Sequence, residues 1–535
     1  MIHAAHSILF AAALLASSVT AGAQTIERLS VSTTGVAANQ SVEAVTRVSD
    51  DGRYAAFSTT ATNLVSPDPT LTRDVFLRDR LLGTTTRVRT EANVGDLTSD
   101  GRLLSYSRQS TAVAAVVDLA TDAEFALSTP PILSTPGPFS ADGRFLLYQR
   151  GDAGTGGLRE VVRREIATAL DDLVSVTFNG GSNTILAIPG HLSPDGSIAT
   201  FTTADPEMVP GDGNGRTDAF YKDHVFGFTD RISVDGAGAE LAGDSIAGSM
   251  TTDTRYFLYS SISPALQDDT NGDWDLYVAD RYLGELRRAS ISSSGMEGNG
   301  PTQSPNAWIS ADGFRVVFES TASNLVDGDT NNARDVFERD FVAGTTRRLV
   351  VGIGGVQPDA DVRLRTVSTD GRYLTIVSAA ANLVAGPSNG ELQAYLVDRG
   401  PQCSIVNYCM ALPNSTGVPA VLQSTGSPSA SLNNFVLSAL DVPEGSACVF
   451  FHGTSRLEPA VPFGDGLRCV GGTVKRLGAL QSSGGAVIQF QDSSSLPYAN
   501  VQPGDVRRFQ MLYRDSVPGG AGFNTTAALE VTFCP

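Results

Sequence analysis

Residues 310–318 read Ser-Ala-Asp-Gly-Phe-Arg-Val-Val-Phe, and this stretch decides the fold because it recurs along the chain. Asp-Gly beside an apolar run is a strong hairpin signal, since glycine tolerates the positive φ of a tight turn. Outward from it, the same turn, whole or decayed, is found seven times. The copies are Ser49-Asp50-Asp51-Gly52, Ser99-Asp100-Gly101, Ser140-Ala141-Asp142-Gly143, Ser193-Pro194-Asp195-Gly196, Thr252-Asp253-Thr254, Ser310-Ala311-Asp312-Gly313 and Ser368-Thr369-Asp370-Gly371. Their steps run from 42 to 59 residues, the length of four short strands with their loops.

Each copy leads into an apolar-rich run, as in Tyr54-Ala55-Ala56-Phe57 and Phe145-Leu146-Leu147-Tyr148. A further strand signature follows: Asp74-Val75-Phe76-Leu77-Arg78-Asp79, Asp275-Leu276-Tyr277-Val278-Ala279-Asp280 and Asp335-Val336-Phe337-Glu338-Arg339-Asp340. A Gly-containing turn then opens a more polar outer strand such as Thr86-Arg87-Val88. Four strands per copy predict an all-β chain whose residues 24–399 form a seven-bladed β-propeller. The two ends supply a check. Ile26-Glu27-Arg28-Leu29-Ser30-Val31 reads as an outer strand with no blade before it, and the seventh copy stops at Tyr395-Leu396-Val397-Asp398-Arg399 without one. The N-terminal strand is therefore expected to complete the last blade, and such closure removes the exposed edges through which sheets aggregate.

The order Ser-x-Asp-Gly-Arg, apolar strand, Asn63-Leu64-Val65 or Asn324-Leu325-Val326, then Asp-Val-Phe-x-Arg-Asp resembles the TolB-like, WD-related propeller repeats of bacterial exported proteins. The resemblance covers about 70% of the chain. It implies a fold shared by periplasmic scaffold proteins and by the non-catalytic propellers of certain peptidases, and it leaves function open.

The 535 residues carry a net charge of −19, which argues against nucleic acid or an anionic membrane as the main partner. Cations, basic proteins and neutral glycans stay compatible with it. Residues 1–23 read as a secretory signal peptide: the apolar run Ile8 to Leu15 is followed by the small-residue site Ala21-Gly22-Ala23, although His3 and His6 stand where Lys or Arg is usual. That run is too short to span a bilayer, and no later segment reaches spanning length. The expected location is the periplasm or the extracellular space.

Chemistry-bearing residues concentrate in one loop of the repeat. Asp212-Gly213-Asn214-Gly215-Arg216-Thr217-Asp218, Asp269-Thr270-Asn271-Gly272-Asp273-Trp274-Asp275 and Asp329-Thr330-Asn331-Asn332-Ala333-Arg334-Asp335 share the spacing Asp-x-Asn-x-x-x-Asp. Oxygen side chains alternating round a tight turn are how a loop wraps Ca²⁺, which takes roughly six to eight oxygens. The candidate ligands are Asp269, Asn271, Asp273 and Asp275, then Asp212, Asn214 and Asp218, then Asp329, Asn331 and Asp335. The competing reading is turn chemistry, because Asp and Asn side chains bond their own backbone two residues on. No Glu follows at EF-hand spacing.

No Gly-x-Ser-x-Gly occurs, and His191, His224 and His452, the histidines after the leader, are too far apart in sequence to suggest a triad or a His-based metal site. Trp274 and Trp308 can stack on sugars, but each lies inside a repeat, where blade packing is its ordinary use. No catalytic residue is assigned.

Beyond Pro401 the repeat vanishes. Short apolar strands such as Cys448-Val449-Phe450-Phe451 and Phe509-Gln510-Met511-Leu512-Tyr513 alternate with small polar turns, which predicts a β-sandwich over residues 400–535. All five cysteines, Cys403, Cys409, Cys448, Cys469 and Cys534, lie there, and in an exported chain they are expected to brace it as disulfides. The segments Asn407-Tyr408-Cys409, Gly466-Leu467-Arg468-Cys469-Val470 and Phe533-Cys534-Pro535 resemble a small C-terminal domain of secreted bacterial proteins. Pairing Cys409 with Cys534 would tie its ends, with Cys448 to Cys469 as the second bridge, although spacing alone does not fix connectivity.

The expected function is non-catalytic binding or scaffolding, with propeller loops presented to a protein, peptide or glycan. The alternative is a carbohydrate-active hydrolase or lyase with carboxylates in the propeller channel, which requires two acids about 5–10 Å apart.

Overall fold

A computed structural model describes residues 24–68, 71–130, 132–152, 160–303, 305–400, 404–425, 435–490, 505–516 and 520–533. The expected leader, residues 1–23, and Cys403 and Cys534 lie outside these. Within them the chain is built of β-strands, and no helix is long and apolar enough to cross a membrane.

The repeated turn folds the same way in every copy. In the first, Ser49 Oγ donates to Asp51 Oδ1 at 2.6 Å, and that carboxylate accepts the Arg53 N–H at 2.9 Å. Gly52 takes the left-handed conformation, φ 73°, which glycine adopts without a Cβ penalty. The decayed fifth copy keeps the geometry, with Thr254 at φ 59° and Thr251 bonded to Asp253. The arginine after the turn is also explained: Arg53, Arg255 and Arg372 pair with Asp79, Asp280 and Asp398, the last residues of the strand signature.

Each turn joins the first two strands of a four-stranded antiparallel sheet, and the described residues form seven such sheets. The first comprises Val42–Val48, Tyr54–Thr59, Asp74–Asp79 and Thr84–Arg89. The last is made of Val362–Val367, Tyr373–Ser378, Gln393–Asp398 and, from the other end of the chain, Thr25–Arg28. Thr25 stands opposite Asp398 and Arg28 opposite Tyr395, so the N-terminal strand closes the ring.

Sheets pack face to face, which leaves the middle strands covered on both sides. Ile198–Thr203 and Asp218–Asp223 are buried at every position. In-register aromatics stack across the second and third strands: Phe57 on Phe76, Phe201 on Phe220, Tyr259 on Tyr277. Each buried ring of this kind contributes ~2–3 kcal/mol from area alone. The core is continuous between neighbours: Phe57 and Phe76 of the first sheet share a cluster with Tyr373, Val377 and Leu396 of the last.

From Ser404 onward the strands pair among themselves. One sheet runs Ser404–Cys409, Ala528–Thr532, Val506–Arg514, Ala447–Gly453, Lys475–Gln481, and a second runs Val421–Thr425, Val436–Leu440, Val487–Phe490. Phe450, Phe509 and Val531 of the one meet Leu422, Leu437 and Val487 of the other in a single core, as in a sandwich.

The disulfide differs from the pairing expected. Cys409 is bonded to Cys469, with their Cα atoms 6.3 Å apart, and Cys448 is a buried free thiol. Strand alternation is the reason. Cys448 and Phe450 point into the sandwich core, whereas Phe451 packs with Cys469 on the opposite side of that sheet. Cys448 thus cannot reach Cys469, and Cys409 sits beside it.

Candidate functional site

The carboxylates of the acidic loops face a cation supplied by the chain. The Arg231 guanidinium lies 3.1 Å from Asp212, 3.8 Å from Asp218 and 2.8 Å from Glu240. Arg288 lies 3.5 Å from Asp269, 3.7 Å from Asp275 and 3.1 Å from Glu297. Arg348 takes Asp329 at 2.8 Å and Asp335 at 3.0 Å, and Arg87 takes Asp68 and Asp74 at 2.9 and 3.1 Å. Each arginine comes from the outer strand, 13 residues after the loop's last aspartate. That constant offset is the sequence signal for these residues, and so is the glutamate at Glu240 and Glu297, 22 residues after the same aspartate.

The asparagines act as turn formers. Asn214, Asn271 and Asn331 accept the N–H of Arg216, Asp273 and Ala333 at 2.6, 2.8 and 3.0 Å. Their amide nitrogens donate to the loop's final aspartate and to the carbonyls of Leu241, Gly298 and Pro358. Asn389 repeats this across the ring closure, donating to Ala38 O at 2.9 Å. Asp273 enters the turn through its backbone N–H. The carboxylates of Asp212, Asp218 and Glu240 lie close enough for one cation to touch all three, and the Arg231 guanidinium has that place. Burial pushes Asp212 and Asp275 up to about 6 despite Arg231 and Arg288, while Glu240 is held below its usual range, against burial, by the Gly213 N–H and Arg231.

The propeller channel was expected from sequence only as the seat of carboxylates, and its lining was not read there. The first strands of all seven sheets surround a central channel of about 440 Å³. Five residues before the turn glycine (Thr254 in the fifth copy) stand Arg47, Asp96, Pro138, His191, Ser249, Trp308 and Thr366, and all seven line it. Arg47 holds Asp96 through two hydrogen bonds, 3.1 and 2.7 Å, and reaches the Phe139 carbonyl at 3.1 Å. Burial pulls His191 down to about 4, so it is neutral at physiological pH, and its Nδ1 has no hydrogen-bond partner among the described residues. Trp308 also packs over Gly371 of the neighbouring turn. His224 is elsewhere, bonded to Asp172 at 2.7 Å, and His452 is buried in the C-terminal module. Trp274 lies in the second acidic loop, outside the channel lining.

These sheets define the class: the protein is a β-propeller followed by a β-sandwich. Among solved structures it is similar to TolB from Acinetobacter baumannii, at 14% identity over 62% of this chain and 77% of that one, TM-score 0.32. Oligogalacturonate lyase from Vibrio parahaemolyticus matches at 12% identity over 70% and 96%, TM-score 0.43. Acylaminoacyl peptidase from Pyrococcus horikoshii matches at 12% over 76% and 59%, TM-score 0.41. No protein-family model matches the chain, and no curated protein matches it in sequence.

Proposed function

We propose that this is an exported, non-catalytic binding protein whose ligand, a protein, peptide or glycan, engages the propeller at its central channel. One observation carries the reading. The turn aspartates and glycines are near-uniform from sheet to sheet, whereas the channel position five residues before them differs in all seven. Seven different side chains on one ring give the channel a chemically mixed lining, with a few polar groups converging on one cavity as small-ligand sites have. The Cys409–Cys469 disulfide supports an oxidising compartment, periplasmic or extracellular. The acidic loops are proposed as arginine-filled braces, with Ca²⁺ as the competing occupant.

The hydrolase reading requires two carboxylates facing one another across a substrate. Asp96 is the one carboxylate among the described lining residues, and it is committed to Arg47. Binding is therefore the better-supported reading.

The test is a glycan and peptide array probed with the mature protein and with Ser249→Trp, which fills the channel while leaving the repeated turns intact. Ligands that the wild type retains and Ser249→Trp loses, at unchanged melting temperature, support the channel. Ligands bound equally by both would move the site to another surface.

A further inference from the structure

The charge inside the channel points to a ligand class, an inference that rests on the channel being the binding site. The whole chain is acidic, at −19, yet the channel is not. Among the described residues its lining holds three charged side chains, Arg47, Asp96 and Arg365. Arg47 and Asp96 neutralise one another. Arg365 forms no ion pair among the described residues, and its one hydrogen bond there is long, 3.5 Å to the backbone carbonyl of Glu43. Glu319, the acid whose charge it senses, is engaged by Arg334 at 2.6 Å and by the Leu364 N–H at 2.7 Å. A guanidinium stays protonated and presents a planar fork suited to a carboxylate. Holding it half-buried with no ion-pair partner of its own among the described residues costs stability, and a bound anion offsets that cost.

The neighbouring lining groups select among anions. Ser249 donates its proton to Ala307 O at 2.8 Å, which leaves its oxygen free to accept, and Asn306 uses one amide proton on Leu364 O at 3.2 Å. With Thr252 and Thr369 they give the channel hydroxyl and amide groups on several sides, which match a ring of hydroxyls better than an apolar chain. A cavity of about 440 Å³ falls in the range of roughly 300–1,000 Å³ of small-ligand sites. We propose that the channel binds an acidic sugar, with the uronate carboxylate held by Arg365 and the ring hydroxyls by Ser249 and Asn306. The uronate is either free or the end of a glycan.

Isothermal titration with sodium D-glucuronate, D-glucose, sodium acetate and a glucuronate-ended disaccharide tests this. Glucuronate is expected to bind at least tenfold more tightly than glucose and acetate. Arg365→Gln is expected to abolish that preference without lowering the melting temperature of the ligand-free protein, and Arg365→Lys to retain part of it. A disaccharide that binds more tightly than the monosaccharide assigns the glycan end, and the reverse assigns the free sugar. Equal binding of glucuronate and glucose overturns the proposal, as does acetate binding as tightly as glucuronate or an unaffected Arg365→Gln. If glucuronate fails while array ligands remain sensitive to Ser249→Trp, the acidic-sugar inference falls and the channel reading stands.

Discussion

The ring of Tyr373 lies across Gly52: a β-carbon built on that glycine would stand 2.5 Å from the ring. The two residues come from opposite ends of the propeller, and the contact repeats around it, with Tyr54 over Gly101, Phe145 over Gly196 and Tyr256 over Gly313. The turn glycine is thus required twice, for its φ and for the neighbouring sheet's aromatic.

Gly52→Ala is expected to lose on the order of 2–4 kcal/mol, from left-handed strain plus overpacking. Gly35 supplies the control, at φ 82° with nothing within 4 Å. In urea unfolding Gly35→Ala should show the strain alone, and Tyr373→Leu should soften the Gly52→Ala loss through non-additivity. Equal losses at the two glycines would remove the stacking explanation.

Removing residues 24–31 takes away the strand paired with Tyr395–Asp398. The uncovered edge should lower the melting temperature and drive association through strand pairing. Light scattering after size exclusion reads this directly, and a stable monomer would contradict ring closure by that strand.

Arg288→Gln leaves Asp269, Asp275 and Glu297 without their cation, and breaking such a buried pair costs about 3–5 kcal/mol. Wild-type melting is expected to ignore both calcium chloride and chelator, whereas the variant should regain stability with calcium. A chelator-sensitive wild type would restore Ca²⁺ as the natural occupant of these loops.

Asp275 sets a pH dependence. Burial raises its carboxyl to about 6 from 3.8, so between these values the folded state holds a proton that the unfolded chain releases. Stability therefore falls as pH rises through that window. Asp275→Asn removes this titration, and from pH 4 to pH 7 it should gain on wild type by on the order of 2–3 kcal/mol. A pH-independent difference between the two would refute the raised value.

The Cys409–Cys469 bridge closes a span of 60 residues. Replacing both by Ser should destabilise the C-terminal module by about 4 kcal/mol in the chain-entropy picture. Non-reducing peptide mapping should find Cys448 alkylated only after unfolding, and a Cys448–Cys469 peptide would overturn the assignment.

The repeat was legible because it is local: Ser49 to Tyr54 form their turn with bonds among near neighbours, and such chemistry can be read from one line of text. The half-strands at Ile26 and Tyr395 were legible by elimination, since each lacked what the other had. The acidic loops were legible as clusters of carboxylates but their arginines were not, because Arg231, Arg288 and Arg348 lie on a later strand that only sheet pairing brings back. The channel was expected only as the seat of carboxylates in the enzyme reading, and the set of residues that lines it was not legible. Its residues sit about 40 to 60 positions apart and share no motif, precisely because that position varies from sheet to sheet.

The sequence by itself therefore determined the repeating unit, the number of turns and the way the two ends meet, since hairpins and strand patterns depend on neighbouring residues. Tertiary structure decided which groups face one another. It put Arg231 among the acids, turned Cys448 away from Cys469 through strand alternation, and gathered Arg47, Asp96, His191 and Arg365 round one channel. Those contacts join residues far apart in the chain, and only the closed ring of packed sheets brings them within reach.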